Sequence, residues 1–299
     1  VIDQNRRAGR ESGQFLFLGS ASIDLIKQSG ESLAGRVAYT ELFPLNLNEY
    51  TQDADKLWLR GGFPDSLLAN SDSKSLLWRR NFIRTYLERD IPQLGPRIPS
   101  ETLRRFWTML AHLQGSTLNA SRLAASLGVD GKTVMNYLDL LVDLLLVRRL
   151  QPYHHNTNKR LVKSPKVYLR DSGILHALLG IANKDDLLSH PVVGMSWEGF
   201  IIENILSIIA DANKEAFFYR TSSGNEIDLI LQLGPNHRWA VEVKRNLSPD
   251  FSKGYRLASE DLGTKRNFII YPGKERYRLS EEVEVLSPTD FLSELAKEI

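Results

Sequence analysis

Asp228 and the run Glu242-Val243-Lys244 are the residues whose types and spacing could do chemistry. Thirteen residues separate the aspartate from the glutamate. Both ends lie in apolar runs that read as strands, Glu226-Ile-Asp-Leu-Ile-Leu-Gln232 and Trp239-Ala-Val-Glu-Val-Lys244. Between them Leu233-Gly-Pro-Asn-His237 carries the Gly and Pro of a tight connection, so the spacing predicts an antiparallel hairpin. Side chains alternate along a strand, so Glu242 shares a face with Lys244, and Glu226 with Asp228. Keeping Val241 and Val243 on the face of Ile227 and Leu229 demands an even register. Setting Leu233 opposite His237 across a three-residue loop satisfies it and puts Asp228 opposite Glu242. Two carboxylates and one ammonium then meet on one face.

Two hard carboxylates close together favour Mg²⁺ or Mn²⁺, which take oxygen ligands and keep several waters. Such a metal would activate water and stabilise charge on a phosphate, and Lys244 could orient that water or the phosphate. Asp228, Glu242 and Lys244 are therefore the candidate catalytic residues. The arrangement resembles the PD-(D/E)XK nuclease family, in which an Asp at a bend precedes a Glu-x-Lys strand. The competing reading is a wet hairpin face carrying cross-strand ion pairs. Upstream, His190 to Ala210 reads as a helix with Ser196 as N-cap. The resemblance implies a helix-borne third metal ligand, for which Glu198 is the candidate, while Glu203 reads as an acid favoured by the helix dipole. Phe217-Phe-Tyr-Arg220-Thr221 reads as a strand entering the hairpin.

The 299 residues suit two or three domains, and 42% hydrophobic with 25% charged residues is ordinary globular composition. A net charge of +2 says little about partners. No stretch is long and apolar enough to span a bilayer, since Tyr137 to Val147 is interrupted by Asp139 and Asp143. No signal peptide is visible, and the absence of cysteine excludes disulfides and thiolate metal sites. A cytoplasmic setting without membrane contact is expected. The chain opens on Val rather than Met, followed by a polar stretch and then an apolar strand pattern at Phe15-Leu-Phe-Leu18, and reads as a fragment.

Residues 100–170 read as a helix-turn-helix with a wing. Leu103 to Leu113 is a first amphipathic helix and Asn119 to Ser126 a second, closed by Leu127-Gly128-Val129. Asp130 can cap a third, from Gly131 to about Leu146, with Val134, Tyr137, Leu138 and Leu141 as its buried face. That helix would be the DNA reader, offering Lys132, Thr133 and Asn136 at its start. Strands Val147 to Leu150 and Lys166 to Leu169 would form the wing. From Arg148 through Arg170 there are seven Lys or Arg, two His and no acid. Such a run favours a polyphosphate, because each neutralised phosphate releases counterions. Lys159, Arg160 and Lys163 are its candidate DNA contacts. Asp139 and Asp143 on the third helix argue the other way, and winged helices also dock proteins.

The N-terminal third supports only an α/β piece followed by helices, among them Leu76 to Arg89. It holds no G-x-x-x-x-G-K-[ST] phosphate loop. Nine stretches in order nevertheless resemble a large family of bacterial and archaeal AAA-type P-loop ATPases, whose C-terminal region has a nuclease-like fold and no known function. They are Phe17-Leu-Gly-Ser-Ala-Ser22, Ser32-Leu-Ala-Gly-Arg-Val37, Gly61-Gly-Phe-Pro64, Thr85-Tyr-Leu-Glu-Arg-Asp90 and Leu127-Gly-Val129. Asn158-Lys-Arg-Leu-Val-Lys-Ser-Pro-Lys166, Tyr168-Leu-Arg-Asp-Ser-Gly173, Trp197-Glu-Gly-Phe200 and the Asp228…Glu242-Val-Lys244 hairpin continue the series.

The resemblance implies a sensor strand at Phe15–Ser20 with Ser20 near the γ-phosphate. It also implies an Arg36 that reaches phosphate in cis or from a neighbouring subunit, and a Pro64 motif near the adenine. Residues 1–45 would be the end of the ATPase core, 46–98 a helical lid, 99–170 the winged helix and 171–299 the nuclease-like α/β domain. The family's phosphate loop and metal-binding Asp would precede residue 1, so ATP binding is expected only with that segment. DNA is the expected partner, and a homo-oligomer could form through the ATPase part. Two functions stand: a DNA-associated ATPase fragment with a Mg²⁺- or Mn²⁺-dependent nuclease-like domain, or a non-catalytic binding or signalling module on the same fold.

Overall fold

The computed structural model describes residues 40–93, 98–154, 160–210, 212 and 214–299, with isolated positions among residues 9–38. Ser20, Arg36 and Lys159 lie outside the described residues. Of the expected strand at Phe15–Ser20, Phe17 also lies outside them, whereas Phe15, Leu16, Leu18 and Gly19 are exposed and belong to no strand. A strand needs neighbours for its N–H and C=O groups, and among the described residues none runs beside them.

The first helices are set by short polar caps. Asp53 accepts from Lys56 N–H at 3.0 Å to start α1 (Ala54–Arg60), which stops at Gly61 with φ 77°. Pro64 begins α2 (Pro64–Leu67), where its missing N–H costs nothing. Ser71 caps α3 (Asp72–Thr85), which runs on through a π-helical turn (Tyr86–Asp90) into α4 (Ile91–Gln93). Arg79 of α3 is fully buried and donates to the Leu59 and Gly173 carbonyls, at 3.3 and 2.8 Å. Burial pushes it down to about 10 despite the nearby Asp171 carboxylate.

A second unit follows: α5 (Ser100–His112), β1 (Ser116–Thr117), α6 (Ala120–Leu127), α7 (Gly131–Asp143), β2 (Val147–Leu150) and β3 (Lys166–Leu169). Asn119 caps α6, Gly128 ends it in the left-handed region, and Asp130 caps α7 through Thr133 N–H at 2.7 Å. Phe106, Trp107, Leu123, Val134, Leu138 and Leu141 form the core. The third helix is shorter than its pattern suggests, because Leu144 caps it and Leu145 adopts φ 59°. The strands pair antiparallel in the order β1-β3-β2.

The last unit runs α8 (Ser172–Leu178), α9 (Lys184–Ser189), α10 (Val193–Ile209), β4 (Glu215–Arg220), β5 (Glu226–Gly234), β6 (His237–Val243), α11 (Lys253–Leu262), β7 (Arg266–Ile270), β8 (Tyr277–Arg278), β9 (Val283–Leu286) and α12 (Pro288–Glu298). Its six strands lie in the order β4-β5-β6-β7-β9-β8. The first three are antiparallel, and β7 joins β6 in parallel through α11. Leu229, Leu231 and Val241 pack with α10 and α12, whereas Ile230 and Ala240 pack with α11.

The hairpin has the even register, Leu229 pairing Val241 and Gln232 pairing Arg238. The turn differs from expectation. Gly234, not Leu233, pairs with His237, so Pro235-Asn236 is the connection and a register shift is absorbed at Leu233. Nor do Ile227 and Leu229 share a face. Against β4, Phe217 pairs Ile230 but Tyr219 pairs Ile227, so β5 holds one extra residue at Asp228-Leu229. A bulge re-aims the side chain at its site, and Asp228 Oδ2 accepts from Val243 N–H at 2.9 Å. Ser196 is no cap: α10 begins at Val193, and the buried Ser196 hydroxyl meets Trp58 Nε1 at 3.0 Å and His176 Nε2 at 2.7 Å.

The second and last units meet along α10. A Cβ on Gly199 would lie 2.2 Å from Gln114 Nε2, and Gln114 accepts from Leu169 N–H at 2.8 Å. Gly→Ala within a helix ordinarily stabilises by up to about 1 kcal/mol. Gly199→Ala should instead lower the melting temperature, while Gly194→Ala, with nothing within 4 Å on the same helix, should leave it unchanged or raise it. Thermal unfolding of both variants checks this; equal shifts would show that the seam is not close-packed at Gly199.

Candidate functional site

Asp228, Glu242 and Glu198 are brought together. The bulge places Asp228 on β5, the opposed β6 supplies Glu242, and α10 presents Glu198 from its second turn. All three are buried, at 8%, 8% and 4% exposure. Each carboxylate is engaged within the chain. Asp228 takes the Val243 N–H, Glu242 Oε1 takes Lys244 Nζ at 2.6 Å, and Glu198 Oε1 takes the Tyr168 hydroxyl at 2.6 Å.

The residue at the centre is Lys166, the first of β3. Its ammonium, 3% exposed, lies 3.2 Å from Glu198 Oε1, 2.8 Å from Glu226 Oε1 and 3.8 Å from Asp228 Oδ1. The Phe218 ring sits 5.6 Å away as a further cation-stabilising face. Burial alone would lower the Lys166 ammonium, but Glu198, Asp228 and Glu226 together hold it above its usual range. Burial and the Asp228 charge push Glu198 up to about 7 and Glu242 up to about 8. Burial lowers and Glu242 raises the Lys244 ammonium, with a net rise.

The donor set does not fit a divalent metal as it stands. Among the described residues no three His, Asp or Glu side chains are arranged to hold one, and an ammonium already occupies the space between the carboxylates.

Lys166 is the residue of this centre that sequence reasoning did not single out: there it opened a wing strand and closed a family-like stretch, one charge in a basic run. Period-two alternation held a signal: Lys166 and Tyr168 share a face of an otherwise apolar strand. The basic run itself is largely spent inside the chain. Arg148 and Arg170 both pair with Glu203, Arg170 also with Glu41, and Arg149 with Asp139. Glu203 is thus an interunit clamp rather than a helix-dipole acid. Arg160 and Lys163 remain exposed, as do Lys132 and Asn136 at the start of α7. Arg220 meets Glu226 at 3.4 Å. Pro64 is exposed on α2, next to a joint in which Asp171 Oδ2 accepts from Gly62 N–H at 2.8 Å and Oδ1 from Ile174 N–H at 2.8 Å.

Comparison with known proteins yields three matched segments. Residues 2–51 match an AAA domain, residues 51–185 a domain of unknown function (DUF8612), and residues 193–291 another domain of unknown function (DUF4143). Uncharacterized proteins of Mycobacterium tuberculosis and Mycobacterium bovis are each 45% identical over 278 residues, covering 93% of this chain and 62% of the relative. The chain therefore spans less than two thirds of the length of these relatives. No solved structure matches it. The AAA-domain and DUF4143 matches support an AAA-type, ATPase-like architecture in an α/β multidomain chain. Among the described residues no helix is long and apolar enough to cross a membrane.

The buried acids set a pH dependence. Glu198 and Glu242, raised to about 7 and about 8 from 4.5, hold protons that the unfolded chain has released, so their contribution to stability falls as pH rises through that window. His176, fully buried between the Leu59 carbonyl and Ser196, is pushed down to about 3, so its contribution is lost as pH falls from 6.5 toward that value. The melting temperature should therefore pass through a maximum, and Glu242→Gln should flatten the decline on the alkaline side. An alkaline limb unchanged in that variant would contradict the burial of an ionising Glu242.

Proposed function

We propose that residues 99–299 form a rigid, non-catalytic nucleic-acid-binding module within an AAA-type, ATPase-like protein, pairing a winged helix with an inactive nuclease-like domain. The order helix, strand, helix, helix, strand, strand over residues 100–169 supports the winged helix. The order α10, antiparallel β4-β5-β6, α11, parallel β7 supports the nuclease-like core, with a bulged Asp228 opposite a Glu-x-Lys strand.

The observation that carries the reading is the pairing of every acidic group at the centre with a donor of the same chain. A hydrolytic site would need those oxygens for metal and water. Duplex contact falls to the exposed start of α7 and to the wing. Lys132 and Asn136, exposed there, would read the groove, and the exposed Arg160 and Lys163 would meet phosphates, with Lys159, which lies outside the described residues, as the third wing candidate. The Arg149–Asp139 pair removes part of the repulsion that an acid on α7 would cause. Nucleotide handling belongs to the AAA-domain part; Ser20 and Arg36 within it, and Pro64 in the segment that follows it, keep the nucleotide-site roles that the family resemblance implies.

The protein should bind duplex DNA without cutting it in Mg²⁺ or Mn²⁺. Arg160→Ala and Lys163→Ala should each remove one phosphate partner and lower the salt dependence by about one unit of log–log slope. Titration at several salt concentrations measures this. Metal-dependent cleavage that Asp228→Asn abolishes would sink the non-catalytic reading, and unchanged slopes would remove this face as the DNA surface.

A further inference from the structure

We infer that the nucleic-acid surface does not end at the wing but crosses onto the last unit, where Lys253 and Arg256 at the start of α11 continue it as a phosphate-binding stripe. The inference rests on the nucleic-acid-binding reading and adds residues that the wing and α7 do not contain. It begins with how the wing is held. Residues 151–153 and 160–162 do not stand free but line the edge of β4. Tyr153 N–H donates to the Phe218 carbonyl at 2.7 Å, Val162 N–H to that of Arg220 at 2.9 Å, and Ser222 N–H to that of Arg160 at 2.9 Å. Pro152 bridges to Phe218 and Leu161 to Thr221. Wing and last unit also share a core, since Tyr153, Leu161 and Phe251 all pack on the cluster of Tyr219, Ile227 and Tyr255. Backbone pairing therefore fixes where Arg160 sits against the last unit.

The turn that meets Arg160 joins β4 to β5, and its Ser222, Ser223 and Gly224 are exposed. Gly254, the second residue of α11, packs on the same turn: a Cβ there would lie 3.5 Å from Asn225 Cα and 3.6 Å from the Gly224 carbonyl. Beside it Lys253 and Arg256 are exposed, three residues apart and so on one face of the helix. The Phe251 ring carries the Arg256 guanidinium at 5.3 Å. Both cations stand in the first turn of α11, where the helix dipole disfavours positive charge. Folding stability does not account for them. Neither has a carboxylate partner among the described residues, and nor do Arg160 and Lys163. The bordering acids are engaged: Glu226 holds Lys166 and Arg220, and the Asp250 charge bears on the Lys244 ammonium. Unpaired cations from two units thus border one small polar turn. Point charges around hydroxyls and backbone suit a sugar-phosphate chain, which repeats its charge at every nucleotide, and they hold a duplex without reading its bases.

The test measures duplex affinity at several salt concentrations, on two duplexes of unrelated sequence, for wild type, Arg160→Ala, Lys253→Ala and Arg256→Gln. Lys265→Ala and Arg278→Ala serve as controls. These two cations are also exposed and without carboxylate partners among the described residues, but they lie at the opposite end of the sheet. Lys265 precedes β7, which starts beside the start of β6, whereas α11 follows the end of β6. Lys253→Ala and Arg256→Gln should each lower the salt dependence by about one unit of log–log slope, equally on both sequences and without lowering the melting temperature. The controls should leave the slope unchanged. A slope lowered on one side of the turn only, by Arg160→Ala or by the α11 pair alone, would overturn the inference, and the first of these leaves the duplex-binding reading standing. An equal loss in the controls would overturn it too, by marking general charge rather than a stripe. A wild type that binds no duplex, or slopes unchanged in every variant, would overturn the inference together with that reading. Binding of wild type to anionic lipid vesicles instead, lost in the α11 variants, would assign the stripe to a membrane surface and overturn both.

Discussion

An ammonium buried among carboxylates sets the terms for the rest of this structure. Taking charges out of water costs several kcal/mol each, and the cost is recovered only when every charge has close partners. Lys166, with Glu198, Glu226 and Asp228 within 3.8 Å, meets that condition. Removing one partner of such a group ordinarily costs about 3–5 kcal/mol, because a charge is then left buried and unpaired. The constraint therefore acts on everything that positions the four side chains. It demands the bulge that turns Asp228, the glycine that lets α10 approach the small sheet, and the antiparallel pairing that fixes the start of β3.

The same logic repeats where the last unit meets the second unit and the first helices. Glu203 takes Arg148 and Arg170 together, Asp171 takes two backbone N–H groups across the Gly61-Gly62 turn, and His176 is held neutral between Leu59 and Ser196. Arg79 spans Leu59 and Gly173. These are buried polar contacts between segments distant in sequence, and they make relative motion of the units costly. A body of that kind holds its exposed cations in one fixed geometry.

Much of this was legible in the sequence wherever the determining interaction is local. Asn119, Asp130 and Gly128 punctuate the helices of the second unit where their types predict, since capping acts over three residues. The even hairpin register follows from alternation and is present. What was not legible depends on distant partners. The bulge at Asp228 arises from β4, so Ile227 and Leu229 part company in a way their own strand does not reveal. The basic run from Arg148 to Arg170 read as a phosphate-binding surface because it holds no acids. Its counterions are Glu203, Asp139, Glu198 and Glu226, most of them far along the chain, and charge along a sequence does not disclose pairing across space. The Pro235-Asn236 turn differs from the expected loop because Gly234 can close against His237 while Leu233 takes up the shift.

The most direct test of this account is a crystal structure of the unmodified protein grown in Mn²⁺, with data collected at a wavelength where manganese scatters anomalously. The account predicts continuous density for the Lys166 side chain between Glu198, Glu226 and Asp228, and no anomalous peak at that position. An anomalous peak at about 2.1–2.2 Å from oxygens of Asp228 and Glu242, with Lys166 turned away from the carboxylates, would contradict it.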